Sequence, residues 1–333
     1  MNTLNYISFP GLGIGEMTIN KIAFSIGDIT IRWYGIIVTF AIICAFALAC
    51  VRARKIGINF DSMLDYAIFT ILFGIIGARL YYVAFSGDTY NSFIDVIAIW
   101  NGGLAIYGGL IGGLIAIIIV SKFKKVKLAK ILDVAAPCAM LGQVIGRWAN
   151  FVNAEAYGYN PAKIALYEDN LFRMDIRAAN SSMTIHTLPT FLFESVWNLV
   201  GMLILLFVVE RMKKYDGQSV LFYMTWYGFG RTWIEMLRSD SLYISDIRVS
   251  SLLGFLCFLT GVILMIIFGT KARRNRLDSV EYESIYSSKS ESSEDNAASE
   301  DNALLNEETA VQENAESEAA DGDTDSDGDS EEN

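Results

Sequence analysis

The sequence is short of the residue types from which most catalytic and metal sites are built. One histidine, His186, stands among 333 residues, three positions before Pro189 in a polar stretch. The four cysteines, Cys44, Cys50, Cys138 and Cys257, share no metal-ligand spacing and all fall in apolar runs. They read as small buried hydrophobes without disulfides. No Ser-His-Asp arrangement and no phosphate-cradling loop is present, so neither a metal nor an organic cofactor is called for. Charge is scarce as well: 19% of residues are charged and 53% hydrophobic, with a mean hydropathy of +0.36. That is too apolar for a typical soluble protein and too long for a single membrane anchor.

The charge that exists is divided. The formal net charge is −11, but residues 278–333 hold 20 Asp and Glu against one basic residue, Lys289. Residues 1–277 hold the other 25 Lys and Arg against 17 acids, a net of +8. The chain is a basic, apolar body followed by an acidic stretch. The body's basic residues are accounted for by membrane topology, which argues against a nucleic-acid partner.

Seven apolar stretches are long enough to cross a bilayer, roughly 33–51, 63–85, 104–120, 131–152, 190–209, 219–237 and 249–269, given a need for about 17–25 residues each. The bilayer core offers backbone groups no water, so these runs should be helices. Lys and Arg cluster after spans one, three, five and seven, whereas loop 86–103 contains neither. With seven spans all four basic loops share one side, which the positive-inside rule makes cytoplasmic. The expected fold is therefore all-α: a polytopic membrane protein with seven transmembrane helices, N-terminus outside and C-terminus cytoplasmic. The expected organisation is an external segment 1–32, a helical domain 33–270 with an external loop 153–189, and a cytoplasmic stub and tail 271–333.

The first 31 residues lack a basic region followed by an apolar core, so no cleavable signal peptide is expected. Pro10, Gly11, Gly13 and Gly15 point to an irregular or interfacial segment. Loop 153–189 is long enough to favour an ordered cap over a floppy connection. The stretch from 278 is too polar to bury a core and reads as disordered. Its end, DGDTDSDGDSEE (321–332), places acids as a calcium loop would, but Ser326 replaces the required glycine, and a solvated acidic tail is the expected state.

Polar residues recur where a membrane helix makes them costly, roughly 2.5–3.5 kcal/mol for a charge near the centre. Arg79 lies near the end of span two. Arg147, Asn150 and Glu155 lie at the end of span four, Glu194 near the start of span five, and Arg231, Glu235 and Arg238 at the end of span six. Tyr34 and Tyr107 begin spans one and three. In the expected orientation all of these face the outer leaflet. Gln143, Arg147 and Asn150 form one helical stripe, and Tyr227, Arg231, Glu235 and Arg238 another. Two such stripes need a polar interior between them. The arginines could instead snorkel to headgroups or pair with the glutamates, and Arg79 and Arg238 fit either reading. For Arg147 and Arg231 the flanking amides and tyrosine favour an anion-binding cavity, since guanidinium forks match phosphate oxygens. In span three, Gly108 and Gly112, like Gly109 and Gly113, are spaced for close helix packing.

The segment GRWANFVNAEAYG (146–158) resembles the signature of the prolipoprotein diacylglyceryl transferase family, G-R-x-x-N-F-x-N-x-E-x-x-G, at every fixed position. RWYG (32–35), GARLYYV (77–83), the glycine run of span three, PTFLFES (189–195) and YGFGRTWIEMLR (227–238) resemble further family blocks in the family's order. The resemblance implies a bacterial cell-membrane enzyme that moves the diacylglyceryl group of phosphatidylglycerol onto the lipobox cysteine of a prolipoprotein, releasing glycerol 1-phosphate. It implies that Arg147, with Asn150, Asn153, Glu155 and Gly158, contacts the lipid headgroup, and that Arg231 is a second essential arginine. Tyr227, Tyr34, Glu194 and Glu235 would complete the site, with Arg79 and Arg238 as further substrate-binding candidates. The family's best-studied branch has a catalytically important histidine where this chain has Tyr107. A phenol of pKa about 10 is a poor general base at neutral pH, so Tyr107 positions substrate or the thiol proton leaves by another route.

Displacement by a thiol needs help with its proton and with the charge growing on the leaving phosphate. Two arginines in a low-dielectric pocket suit the second need. The competing class is a transporter for an anionic solute, but no internal repeat is found and the polar groups gather at one depth. Arg248, outside these blocks, is expected to tolerate lysine.

Overall fold

The computed structural model describes residues 4–90, 92–159, 170–238, 243–244 and 247–277. The acidic stretch 278–333, with its expected disorder and calcium-like end, lies outside these residues. The chain divides into two compact units at Gly269, and the described part of the second, 270–277, is helical.

Eight helices are described: α1 (Trp33–Lys55), α2 (Phe60–Phe85), a short α3 (Phe93–Ile97), α4 (Ile106–Phe123), α5 (Leu128–Asn153), α6 (Thr190–Val209), α7 (Gln218–Glu235) and α8 (Val249–Leu277). All except α3 and α7 are long and apolar enough to cross a membrane. The helix at the sixth expected span, α7, is not apolar enough, because Gln218, Ser219, Thr225, Arg231 and Glu235 interrupt it. Ser219 and Glu235 are buried, so α7 turns its polar side into the protein. By contrast α1, α2 and α8 bury only 11% of their apolar windows, a surface suited to lipid and not to water.

The chain is not all-α. Strands β1 (Leu4–Phe9), β2 (Ile14–Asn20), β5 (Met174–Ala178) and β6 (Ile185–Thr187) form an antiparallel sheet in the order β2-β1-β5-β6. Strands β3 (Ile22–Ile26) and β4 (Ile29–Arg32) form a separate hairpin, and β7 (Tyr243–Ile244) pairs with β8 (Ile247–Arg248). The expected irregular N-terminal segment is thus ordered, and loop 153–189 contributes two strands to a cap. In β1, Asn5, Ile7 and Phe9 are buried and alternate with partly exposed neighbours. Asn5 on the buried face hides this period of two from a reading of apolarity. Ile7, Phe9, Met174 and Ile176 pack with Phe191 of α6, and Phe9 and Phe191 both meet Phe151 of α5. The sheet is thereby seated on the helix ends that carry the GRWANFVNAE segment.

The glycines of α4 act in packing. A Cβ at Gly77 of α2 would collide with the Gly108 carbonyl and lie 3.1 Å from the Gly112 Cα, and one at Gly112 would strike the Phe73 carbonyl. The two backbones touch because no side chain separates them. The cysteines are free. Cys138 is buried and donates to the Val134 carbonyl, but Cys257 is exposed on α8. It was expected to be buried; an apolar run on a lipid-facing helix does not require burial in protein.

Candidate active site

Arg147 sits in the last two turns of α5, three residues before Asn150. Its Nη1 donates to Asn150 Oδ1 at 3.4 Å, and Asn150 Nδ2 donates to Glu155 Oε1 at 3.0 Å. Glu155 can reach back because Ala154 (φ 49°) and Ala156 (φ 57°) on either side of it adopt left-handed backbone. Such conformations are costly for alanine and persist only when their surroundings hold them. Here Thr190, at the start of α6, donates its hydroxyl to the Ala156 carbonyl, and Glu155 N–H bonds to the Asn150 carbonyl.

Glu194 lies one turn into α6 and is 3% exposed. It is ion-paired to Arg147 through Oε2, and its Oε1 lies 3.2 Å from both Arg231 Nη1 and Arg238 Nη1. Three guanidinium groups, from α5, from α7 and from just beyond α7, thus converge on one buried carboxylate. Arg231 Nη2 also lies 2.7 Å from Glu235 Oε2, and Arg238 Nε 3.9 Å from it. Tyr227 lies one turn before Arg231 on α7, and its ring stacks on Tyr223. Gln143, the start of the α5 stripe, donates to the Tyr223 hydroxyl at 2.9 Å. The two stripes do face one another.

Two further locks hold this geometry. Ser195 Oγ donates to the Val144 carbonyl, joining α6 to α5. Trp197 and Trp226 stack at 4.4 Å, and each indole N–H donates to the other's carbonyl, joining α6 to α7. Nothing in either segment alone signals that exchange.

The remaining candidate residues are placed elsewhere. Tyr34 and Asn153 line a cavity of about 730 Å³ with Arg32 and Phe40, at the start of α1 and the end of α5. The Tyr107 hydroxyl is 3.2 Å from Ser250 Oγ of α8, and its ring lies against Tyr81. Gly158 forms a two-way backbone bridge with Leu188. A Cβ there would approach the Leu237 carbonyl to 2.9 Å, so Gly158 allows the chain to pass close beside the end of α7. Arg79, 7% exposed, gives its guanidinium to four backbone carbonyls: Val96 (2.8 Å), Asp95 (2.7 Å), Gly102 (2.7 Å) and Gly103 (3.0 Å).

Three groups have contacts that the sequence reading did not give them. Arg248 donates to the Glu235 carbonyl, which places it beside the cluster and not outside it. Asp133 of α5, 1% exposed, accepts from the Gly217 and Val220 N–H groups at the start of α7 and pairs with Lys213. It caps α7 from another helix, a role with no local sequence signal. His186 is 2.8 Å from Asp175 across β5 and β6, and Arg173 holds the same carboxylate. Burial pushes the Asp175 carboxyl up, but hydrogen bonds from Arg173 and His186 outweigh it and hold the group below its ordinary value.

Residues 21–267 match the family model for prolipoprotein diacylglyceryl transferase. A phosphatidylglycerol–prolipoprotein diacylglyceryl transferase of Listeria innocua is 39% identical over 256 residues, 77% of this chain and 92% of that protein. One from Clostridium perfringens is 40% identical over 261 residues, 77% of this chain and 97% of that protein, and one from Streptococcus agalactiae is 39% identical over 250 residues, 74% and 95%. Multiple apolar helices, with a half-buried cluster of arginines that includes Arg147 of the signature segment, agree with that match: this multi-pass membrane protein belongs to the prolipoprotein diacylglyceryl transferase family.

Proposed function

We propose that the chain transfers the diacylglyceryl group of phosphatidylglycerol to the lipobox cysteine thiol of prolipoproteins. The observation that carries this reading is the convergence of Arg147, Arg231 and Arg238 on Glu194, which gathers phosphate-binding groups from separate helices at one point. In the reaction a C–S bond forms at a glyceryl carbon, the C–O bond to phosphate breaks, and glycerol 1-phosphate leaves. Arg147 and Arg231 bind the phosphate and stabilise the charge growing on it, in surroundings where such bonds count for more than in water. Asn150 and Glu155 hold Arg147 in position, and Tyr227 forms part of the wall. The cavity beside Tyr34 and Asn153 offers a way for lipid to reach the signature segment.

Tyr107, bonded to Ser250, positions α4 against α8 and the substrate between them. Arg79 supports the turn that leads into Tyr107. In this reading α7 also spans the membrane, as the sixth of seven spans with its polar side turned inward, so that the site faces the outer leaflet of the bacterial cell membrane and the N-terminal cap lies outside. Activity resides in residues 33–270. The direct test is purified protein with labelled phosphatidylglycerol and a lipobox peptide. Label transferred to the peptide, dependent on its cysteine, is expected; label that crosses vesicle membranes without transfer would favour the transporter.

A further inference from the structure

Arg147 is held from two directions, and both lead to α6. Its Nη2 pairs with Glu194, and its Nη1 donates to Asn150, which donates in turn to Glu155. Glu155 is kept within reach by a turn with left-handed backbone at Ala154 and Ala156, a region that residues other than glycine enter at a steric cost. One end of the turn is tied into α5: the Ala154 N–H bonds to the Phe151 carbonyl and the Glu155 N–H to the Asn150 carbonyl. The other end is tied to α6, where Thr190 donates its hydroxyl to the Ala156 carbonyl. Thr190 is itself fixed. It is 0% exposed, its N–H bonds to the Leu188 carbonyl at 2.9 Å, and Leu188 exchanges two backbone hydrogen bonds with Gly158. Hydroxyl side chains at helix starts ordinarily cap the helix's own N–H groups. The α6 N-cap is Pro189, which makes no side-chain cap, and the Thr190 hydroxyl serves the signature turn instead. Thr190 stands one helical turn before Glu194. The contacts therefore close a ring that runs from Arg147 to Glu194, along α6 to Thr190, and back through Ala156, Glu155 and Asn150.

Resting on the transferase reading, we propose that Thr190 is a positioning residue for the transfer: its hydroxyl, acting through the Ala156 carbonyl, Glu155 and Asn150, fixes the plane of the Arg147 guanidinium for the headgroup phosphate. A guanidinium fork meets two phosphate oxygens only when the two groups are coplanar, and a small misplacement of a clamping group is costly in rate. Without the hydroxyl, the buried Ala156 carbonyl loses this donor, at a cost in desolvation, and the left-handed turn loses its tie to α6. Glu155 then draws away from Asn150. Arg147 keeps Glu194 but loses the support behind Asn150, and its plane is free to rotate about that one remaining partner of the ring. The phosphate is gripped both in the bound lipid and as it leaves, so the loss should appear in the KM for phosphatidylglycerol as well as in turnover. A threonine that served only the stability of the fold would instead lower the amount of active protein and leave that KM unchanged.

The test uses the purified full chain in detergent, with labelled phosphatidylglycerol and a lipobox peptide, and monodisperse elution as the check on folding. Wild type is compared with Thr190→Val, which keeps the shape and loses the hydroxyl, and with Thr190→Ser, which keeps the hydroxyl. Thr190→Ala covers the case in which the added methyl of valine prevents folding. Thr190→Val and Thr190→Ala should raise the KM for phosphatidylglycerol at least about fivefold and leave the KM for the peptide within about twofold, while Thr190→Ser stays within about twofold of wild type in both. Ala156→Gly supplies a second readout, because glycine adopts left-handed backbone without the steric cost. Thr190→Val should therefore cost clearly less when combined with Ala156→Gly than it does alone. A lowered kcat with unaltered lipid KM, a serine variant as impaired as the valine one, or a penalty that Ala156→Gly does not reduce would each overturn the proposal. Equilibrium dialysis of labelled glycerophosphoglycerol, the deacylated headgroup, should give the same order of affinities without any chemistry. Wild-type protein that transfers no label to the peptide would sink the transferase reading instead, and the dialysis would still decide whether Thr190 fixes the clamp.

Discussion

At the scale of single residues, Arg147 decides between a headgroup clamp and a cation that merely reaches an interface. Lysine keeps the charge and loses the planar fork that here spans Glu194 and Asn150. Losing one charge-assisted hydrogen bond costs roughly 1.5–3 kcal/mol, and about 1.4 kcal/mol is tenfold in rate. Arg147→Lys and Arg231→Lys should each lower transfer at least about tenfold at unchanged protein level. Arg248 cannot serve as the neutral control, since it touches Glu235. Arg177→Lys can, because its pairing with Glu16 is on the exposed face of the cap. Near-normal turnover by Arg147→Lys would remove the clamp. Asp175 gives a second prediction at this scale. Its folded pKa lies below the unfolded value of about 3.9, so its stabilising effect is complete above that value and is lost as pH falls through the folded one. Hydrogen-exchange protection of β5 and β6 should hold at pH 5 and weaken below about pH 4, with Asp175→Asn abolishing that acid step. Loss of protection between pH 7 and pH 5 would show that another group governs the cap.

At the scale of elements, the turn between α3 and α4 depends on one side chain from α2. Gly102 and Gly103 have φ of 84° and 74°, which leaves their carbonyls open to Arg79, and a Cβ at Gly103 would lie 2.8 Å from Arg79 Nη1. The Ala105 N–H bonds to the Ala78 carbonyl two residues before Tyr107. Lysine cannot serve four carbonyls with the same geometry, having three donors on one nitrogen. Arg79→Lys should increase hydrogen exchange across 92–105 and lower kcat severalfold, with little change in KM for phosphatidylglycerol. A raised KM with unaltered exchange would show instead that Arg79 contacts the headgroup. The α7 helix depends on its surroundings in a similar way. Its first turn is capped by Asp133, 84 positions away in sequence, and its Tyr223 and Arg231 find partners in Gln143 of α5 and Glu194 of α6.

At the scale of the whole molecule, orientation and the boundary of the working domain are open to direct measurement. Thr89, exposed between α2 and α3, and Lys122, exposed at the end of α4, suit cysteine labelling. Thr89→Cys should label from outside intact cells and Lys122→Cys only after permeabilisation; the reverse would invert the topology. Deleting 278–333 removes none of the described helices and none of the matched region, so insertion and transfer should survive. Inactivity in a normally inserted truncation would make the acidic stretch part of the enzyme.

Local chemistry was enough to read the apolar helices, the two polar stripes and the signature segment from the sequence, because hydropathy and the spacing of i and i+4 are properties of a single segment. Those signals put Arg147 with Asn150, and Arg231 with Glu235, before any fold was known. They could not tell that Glu194 is the carboxylate shared by three arginines, since its partners come from two other parts of the chain. Nor could they show that Asn5 pairs with Ala178 in a sheet, that Asp133 caps α7, or that Arg79 serves backbone carbonyls. Contacts between distant segments leave no period in either one. Whether a buried charge binds substrate or holds the protein together depends on what stands opposite it, and only the tertiary structure supplies that neighbour.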